Sequence, residues 1–494
     1  MIAACGYAAA AIHGRLMQRL VELTLGPYVA VLARRRKAGQ PPLPPSGSVV
    51  DCASLSLTTG SGHVAISLRQ TLSGCAEFIA HWGYVLLSIL AGMRPGGDAR
   101  PATLVLGVGE DNICVNGDDS RFTNYCRSGP ILPLKNGTRF LVQSVALRGT
   151  LGNPDFAYAR HPLMSLLQNG KLGARRRLGL LLAHAVLPFA FFAAVLRLPL
   201  LALLGRDFAY TRAVKALDAA GAIEAIVDTC SAYTTQPLWL RGAPSFPTHM
   251  VWYAQNWKPM VYAGDDFRSD IPNLRWICVA THWIWTQGFG EYLRSLGVCG
   301  AMQVVGPIMW YPPELRQPPP DGIQIMLFDL NPFSDEVAER LGELENYWRP
   351  ENLRGFVQAV LAASDALSSR FGCAVTVCLK RKRGYSAIYD KGYFDFVDGL
   401  VDAGRLAIVP PSDNIFQLVS ASHAVVVYPY SSPAYVASHL GVPAVYFDPT
   451  GMLQPSHEES PWIDFANSRS ALVEALAAAI VRRRNCLAPQ ADCR

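Results

Sequence analysis

The sequence is short of charge, of paired cysteines and of any standard nucleotide loop, and each shortage removes a class of protein. Only 17% of its 494 residues are charged and half are hydrophobic, which rules out a disordered or fibrous chain. The formal charge of +6 is mild, well short of a dedicated nucleic-acid binder. None of the twelve cysteines falls in a Cys-x-x-Cys pair, so the ligand spacing of a structural zinc site is missing. Several sit inside apolar runs, as Cys278 does, and read as small buried hydrophobes in a reducing compartment. No Walker loop and no Gly-x-Ser-x-Gly elbow occurs, which argues against P-loop and esterase chemistry. Gly107-x-Gly109 lacks a third glycine in step, so it is a poor dinucleotide fingerprint. No internal repeat, extended low-complexity tract or secretory signal is evident.

What the chain has is apolar residues in unusual places. Its mean hydropathy is +0.18, which predicts a large core together with some membrane contact. The first 33 residues are apolar but carry Arg15, Arg19 and Glu22 at helical spacing. They read as an amphipathic helix that lies on a membrane surface or packs on the body. Residues 40–48 form a proline-rich, stiff linker. Between Leu178 and Leu196 no residue has a formal charge, although His184 and Pro188 interrupt the run and arginines flank it. Three readings stay open: a kinked interfacial or re-entrant hairpin, a buried helical hairpin, or a span.

From residue 222 onward, short apolar strands alternate with helices, and a proline-rich stretch over 312–321 separates two such series. Alternation of this kind implies parallel sheets covered on both faces. The predicted fold is α/β, with two Rossmann-like lobes and an extra apolar helical segment in the N-terminal half. The domains expected are a helix and linker over 1–48, an N-terminal lobe over 49–315 with an apolar insertion at 175–206, and a C-terminal lobe over 322–485.

Ligands in such sheets sit beyond the carboxyl ends of strands, which directs attention to the residues just past each apolar run. Lys380-Arg-Lys-Arg383 follows one strand and makes an anion site or a solvated basic loop. Ser412-Asp-Asn414 follows the next, where Asn414 caps a helix or meets a base or ribose. Pro429-Tyr430-Ser431-Ser432 opens a helix, suiting a helix cap and a phosphate alike. In the N-terminal half the acids at strand ends are Glu110, Asp228 and the Asp265-Asp266 pair. His249 and His282 are further candidates, and each acid or histidine also has an ordinary packing or capping role.

These segments resemble the bacterial polysaccharide biosynthesis proteins named for a Pro-Phe-Thr-Ser motif, which appears here as Pro429-Tyr430-Ser431-Ser432. Residues 285–289, 305–311, 328–333 and 445–449 look like that family too, over roughly 222–465. More distantly, the pattern is similar to GT-B enzymes that use CMP-sugars, such as sialyl and Kdo transferases. The resemblance implies a glycosyltransferase of cell-surface polysaccharide assembly that moves a nonulosonic acid or Kdo, with inversion, from a CMP-sugar to a glycan or lipid-linked acceptor. It implies that Lys380, Lys382, Arg383, Ser431 and Ser432 hold the donor phosphate, with Asn414 and Tyr430 at the nucleotide. A base from the N-terminal lobe is then Glu110, Asp228 or Asp266. The family's Lys-x-His-Pro position reads Lys380-Arg-Lys-Arg383 with no histidine, which removes the usual leaving-group acid and leaves a permanent cation in its place. No metal and no cofactor beyond the nucleotide sugar are implied. The expected location is cytoplasmic, peripheral or monotopic at the inner membrane, with no nucleic-acid partner. A UDP-sugar or CDP-polyol donor, or a non-catalytic membrane scaffold, are the alternatives.

Overall fold

The computed structural model describes residues 50–52, 55–57, 64–66, 68–93, 100–115, 117–169, 172–229, 236–241, 244–253, 277–314, 322–335, 346–381, 385–454 and 460–487, with Arg15, Leu16 and Arg19. Those up to Pro312 form one compact unit and those from Pro313 another.

The first unit begins with a small antiparallel ladder of β1 (Val50–Cys52), β2 (Leu55–Leu57) and β3 (Val64–Ile66). Helix α1 (Leu68–Ala91) follows. The main sheet contains β4 (Ala102–Leu106), β5 (Phe140–Gln143), β6 (Gly149–Thr150), β7 (Phe156–Ala159), β8 (Ile223–Thr229), β9 (Thr248–Val251), β10 (Cys278–Ile284) and β11 (Cys299–Val304). Their order is β11-β10-β9-β8-β4-β5-β7-β6, and every pairing is parallel except β6 with β7. The central strands β4 and β8 are buried along most of their length. Their continuous apolar runs reflect cover on both faces.

The crossover from β7 to β8 carries the apolar segment. It forms α2 (Ala174–Ala185), α3 (Leu187–Arg197), a 3-10 turn (Pro199–Leu204) and α4 (Gly205–Ala219). Pro188 explains the break at Val186. It has no N–H, so the His184 carbonyl loses its helical donor. Trp82 of α1 replaces that donor: its Nε1–H donates to the His184 carbonyl at 2.8 Å, and His184 Nε2 lies 2.9 Å from the Trp82 carbonyl. Beside this pair, Phe78 stacks on Phe191 with centroids 4.0 Å apart. Close approach also needs glycine at Gly205, where a Cβ would lie 2.3 Å from the Gly74 carbonyl oxygen of α1.

Inner residues of α2 and α3 are buried at Leu180, His184, Leu187, Phe191 and Val195, whereas Leu178, Leu182, Val186, Phe189 and Leu196 are exposed. The buried-hairpin reading therefore fails on the outer face. Both Leu68–Ala91 and Ala174–Arg197 are long and apolar enough to cross a membrane, and only 28% and 33% of their apolar windows are buried. The cysteine expectation is corrected as well. Cys278 and Cys299, neighbours across β10 and the edge strand β11, are both exposed and free.

The second unit contains β12 (Ile323–Phe328), β13 (Val375–Lys380), β14 (Ala407–Val409), β15 (Ala424–Val427), β16 (Ala444–Phe447) and β17 (Ile463–Ala466), ordered β14-β13-β12-β15-β16-β17 and wholly parallel. Numbered from its own first strand this is 3-2-1-4-5-6, the doubly wound Rossmann order. The first unit follows the same plan: β5 and β7 lie to one side of β4, and β8 to β11 lie to the other. Two Rossmann-like units with an added apolar helical segment are thus observed. In a sheet of this type a ligand lies where the strand order reverses. Those places are the ends of β4 and β8 in one unit, and of β12 and β15 in the other.

Candidate functional site

In the first unit, Leu106 pairs with Asp228 at the ends of β4 and β8. The chain leaves β4 at Gly107 with φ +75°, and a Cβ there would lie 2.8 Å from Thr229 Oγ1. Thr229 Oγ1 donates to the Leu106 carbonyl at 3.1 Å, and the Gly107 N–H donates to Gln143 Oε1 at 3.2 Å. These bonds tie the ends of β8, β4 and β5 around a cavity of about 280 Å³, which is lined by Gly107, Asp228, Arg160, His161, Arg206 and Tyr210 among others.

Asp228 is 5% exposed. Burial pushes its carboxyl up to about 7, against a smaller opposing effect of the Thr229 backbone hydrogen bond. A carboxyl that exchanges its proton near neutrality suits general-base work. The wall acids are otherwise engaged. Asp207 Oδ2 meets Arg15 Nε at 3.1 Å, and its Oδ1 accepts from the Leu238 N–H at 2.6 Å. Glu77 meets Arg19 at 3.4 Å. Arg160 and Arg206 are exposed, and among the described residues neither has a hydrogen-bond or ion-pair partner.

The other base candidates fare differently. Glu110 accepts from Ser144 Oγ at 2.7 Å and from the Val145 N–H, so its carboxylate braces the loop after β5. As a base it would share its carboxylate with that loop. Asp266 lies outside the described residues. His282 sits between Trp252 Nε1 at 3.1 Å and the Cys299 carbonyl at 2.9 Å. His249 accepts from Trp283 Nε1 at 3.4 Å. Burial pulls both imidazoles down to about 4, so they are neutral packing groups.

In the second unit, Phe328 of β12 faces Lys380 on one side and Val427 on the other. Lys380 and the Tyr428–Ser432 turn therefore leave one sheet edge about 10 Å apart. Their contacts correct several expectations. Lys380 Nζ donates to the Pro410 and Pro411 carbonyls at 3.4 and 2.5 Å, holding the exit of β14. Asn414 Oδ1 caps the helix Ile415–Ser420 by accepting from the Phe416 N–H at 2.9 Å. Tyr430 adopts φ +60°, packs its buried ring near Tyr446 and Phe465, and donates to the Gln454 carbonyl at 3.0 Å. It faces the core, so its ring is not a platform for a base.

Ser431 Oγ donates to the Tyr428 carbonyl at 2.7 Å. The Tyr435 and Val436 N–H groups donate to the Ser432 carbonyl, and Pro433 has no N–H to offer. The Ser431 hydroxyl proton and the first helical N–H groups are thus engaged within the turn. Lys382 and Arg383 lie outside the described residues.

The position that sequence reasoning missed is Arg381, together with Asp329 and Tyr393. Asp329 is the first residue past β12 and is 7% exposed. Its Oδ2 accepts from Tyr393 Oη at 2.7 Å and lies 3.8 Å from Arg381 Nε. Asp329 Oδ1 and Arg381 Nε and Nη2 are buried without hydrogen-bond partners among the described residues. The guanidinium lies over Phe394 at 4.2 Å. Burial pushes Asp329 up to about 6, opposed by Tyr393 and Arg381. Asp448, at the end of β16, is the contrast: both its oxygens are used by Thr450 and Leu453. Buried polar atoms normally find partners, so the unpaired edge at Asp329 and Arg381 marks a place for another polar group. The available signal was an acid directly after the unit's first apolar strand. Among the described residues, no cluster of histidine, cysteine and acidic side chains could hold a metal ion.

Comparison with curated proteins gives no match. Among solved structures, the chain is similar to the sucrose-phosphate synthase of Thermosynechococcus elongatus at 14% identity, over 78% of this chain and 93% of that one, with a TM-score of 0.41. It is similar to the wall teichoic acid polymerase TagF at 13% identity, over 84% and 89%, with a TM-score of 0.41. It is also similar to the UDP-GlcNAc 2-epimerase of Methanocaldococcus jannaschii at 10% identity, over 77% and 92%, with a TM-score of 0.38. The family described as polysaccharide biosynthesis PFTS motif proteins matches residues 189–476, more than half of the sequence and every strand from β8 to β17, and this chain belongs to that family.

Proposed function

We propose that the chain is a glycosyltransferase of polysaccharide biosynthesis. It takes a saccharide acceptor at the β4/β8 cavity and a nucleotide-activated sugar at the β12/β15 edge. The observation that carries this reading is that both units place a buried acid where their strand order reverses, and that Asp228 opens into a cavity large enough for part of a sugar.

Asp228 accepts the proton of the acceptor hydroxyl as that oxygen bonds the donor's anomeric carbon. The bond from this carbon to the nucleotide phosphate breaks, and its electron pair leaves with the phosphate oxygen. A single displacement of this kind inverts the anomeric centre. Arg381, a permanent cation in a buried setting, offsets the charge that develops on the leaving phosphate. The family resemblance adds Lys382, Arg383, Ser431 and Ser432 at the same phosphate, where Ser431 would exchange its bond to the Tyr428 carbonyl for one to the ligand. The donor on this reading is a CMP-linked nonulosonic acid or Kdo, whose one phosphate needs no metal. The chain then works in the cytoplasm, where nucleotide sugars are made.

The test is thermal unfolding of the full chain with CMP, UDP or CDP. A nucleotide at a hundred times its Kd adds about 2.7 kcal/mol of stability. CMP is expected to raise the Tm most. A rise with UDP alone would move the donor class, and no rise with any nucleotide would leave the scaffold reading in place of the enzyme.

A further inference from the structure

The first unit holds two unusual features side by side. One is the cavity at Gly107 and Asp228, where Asp207 and Glu77 are paired while Arg160 and Arg206 have no ion-pair or hydrogen-bond partner among the described residues. The other is a pair of helices that expose leucine and phenylalanine where a water-facing helix carries lysine and glutamate. On α1 the exposed residues Leu68, Leu72, Ile79, Leu87 and Leu90 recur at helical spacing and form one stripe. On α2 and α3 the stripe runs through Leu178, Leu182, Val186, Phe189 and Leu196, with Phe189 77% and Leu196 86% exposed. The helices pack on each other through Phe78, Phe191, Trp82 and His184.

The cavity and the stripes share a helix. Glu77 of α1 lines the cavity, and Tyr84, one flank round from the stripe, packs edge-on against His161 of the cavity wall with centroids 5.1 Å apart. The next residues along the wall are Arg160 and, from the first turn of α4, Arg206. Exposed arginines also flank the stripes at Arg69, Arg175, Arg176 and Arg197. Apolar stripes bordered by cations fit an anionic lipid surface. Two guanidinium groups and a buried carboxyl that line one cavity fit a phosphate and a sugar hydroxyl carried on the same ligand.

We infer that the acceptor is a saccharide carried on a lipid phosphate or diphosphate, its phosphate held by Arg160 and Arg206 and its lipid seated in a bilayer that α1, α2 and α3 contact through their outer stripes. This rests on the reading of the β4/β8 cavity as the acceptor site. The bilayer is the occupant that the flanking arginines favour. A second copy of the chain would meet the same cations and gain nothing from them.

The test uses the full chain and three probes: anionic vesicles of phosphatidylcholine with phosphatidylglycerol, the same vesicles carrying a long-chain prenyl diphosphate, and inorganic diphosphate in solution. Wild-type protein is expected to float with the vesicles and to prefer those with the prenyl diphosphate. Arg160→Ala with Arg206→Ala is expected to lose about tenfold or more of that preference, which is about 1.4 kcal/mol. It should still float with plain vesicles. Leu182→Glu with Phe189→Glu should abolish flotation while inorganic diphosphate still shifts its thermal unfolding, which also shows that the variant is folded. Three results would overturn the inference: no flotation of wild-type protein, an unchanged diphosphate preference in the arginine variant, or a dimer in solution whose contact is lost in the Leu182 and Phe189 variant. CMP binding, measured on the same samples, separates the two proposals. If nucleotide binds and vesicles do not, only the lipid acceptor falls; the reverse result removes the transferase reading.

Discussion

The two units share one strand plan and use it in opposite ways. In the first, the reversal point opens into a cavity, and the buried acid Asp228 lines it. In the second, the buried acid at the reversal point, Asp329, follows the first strand of the unit and not the fourth, and lies under Tyr393 and beside Arg381 with unpaired polar edges and almost no exposure. Their outer helices differ as much. The long helices Pro350–Phe371 and Arg469–Leu487 form exposed ion pairs, such as Arg370 with Glu474. The first unit instead turns leucine and phenylalanine outward along α1, α2 and α3. Strand order fixes where a ligand can sit. The loops and crossovers decide whether that place is open and what surrounds it.

The sharpest way to break this comparison is Asp228→Asn. Loss of a general base is expected to lower kcat by about 10²- to 10⁴-fold. Thermal stability should move the other way. The carboxyl is raised from its ordinary value to about 7 in the folded state, so folded protein binds more protons than unfolded protein between about pH 4 and pH 7. This group's contribution therefore falls as pH rises through that window and is least favourable above it. The variant should have a higher Tm than wild type at pH 8, with the gap closing toward pH 4. The wild-type rate should rise as pH passes about 7, and the variant should lack that limb. A variant with normal kcat would reduce Asp228 to a packing residue.

Arg381→Leu probes the second unit. Breaking a buried pair costs about 3 kcal/mol or more, to be measured by urea unfolding. It should also remove the Tm rise produced by CMP. If the variant unfolds early yet still binds CMP as wild type does, Arg381 supports the fold alone.

Trp82→Phe keeps an aromatic ring against His184 but strips the donor from that residue's carbonyl. A buried acceptor left unpaired costs about 2 kcal/mol, and the loss should appear in the first unit's unfolding with no change in CMP binding. The smallest change is Lys380→Met. It removes the bonds to Pro410 and Pro411, with an expected cost of about 1.5 kcal/mol and an unaltered CMP response. A lost CMP response would return Lys380 to the donor phosphate.

Much of the frame was legible because parallel strands buried on both faces leave plain apolar runs. The alternation that starts at residue 222 begins with β8 (Ile223–Thr229), and the second series starts just past the proline-rich stretch with β12 (Ile323–Phe328). The strands Phe140–Gln143 and Phe156–Ala159 were not found. Each is only four residues long, and no helical rhythm separates them. At the site, looking past strand ends located Asp228, because its position depends only on where β8 stops. The same rule says nothing of where Lys380, Tyr430 and Glu110 point. Lys380 turns toward two proline carbonyls thirty residues on, Tyr430 folds inward on a positive φ, and the partners of Glu110 come from the loop after β5. Nothing local in the sequence signals such partners. The apolar segment's length was readable, but its outward face was not, because leucine covers both the buried and the exposed stripe.

One atom that Pro188 does not have reaches further than its own helix. Two greasy cylinders in contact can slide and rotate with little change in area, so packing alone leaves their alignment loose. The oxygen that Pro188 strands at His184 takes the N–H of the Trp82 indole across the helix pair. A missing hydrogen thus works as a key, setting one mutual position for two helices that would otherwise glide past each other.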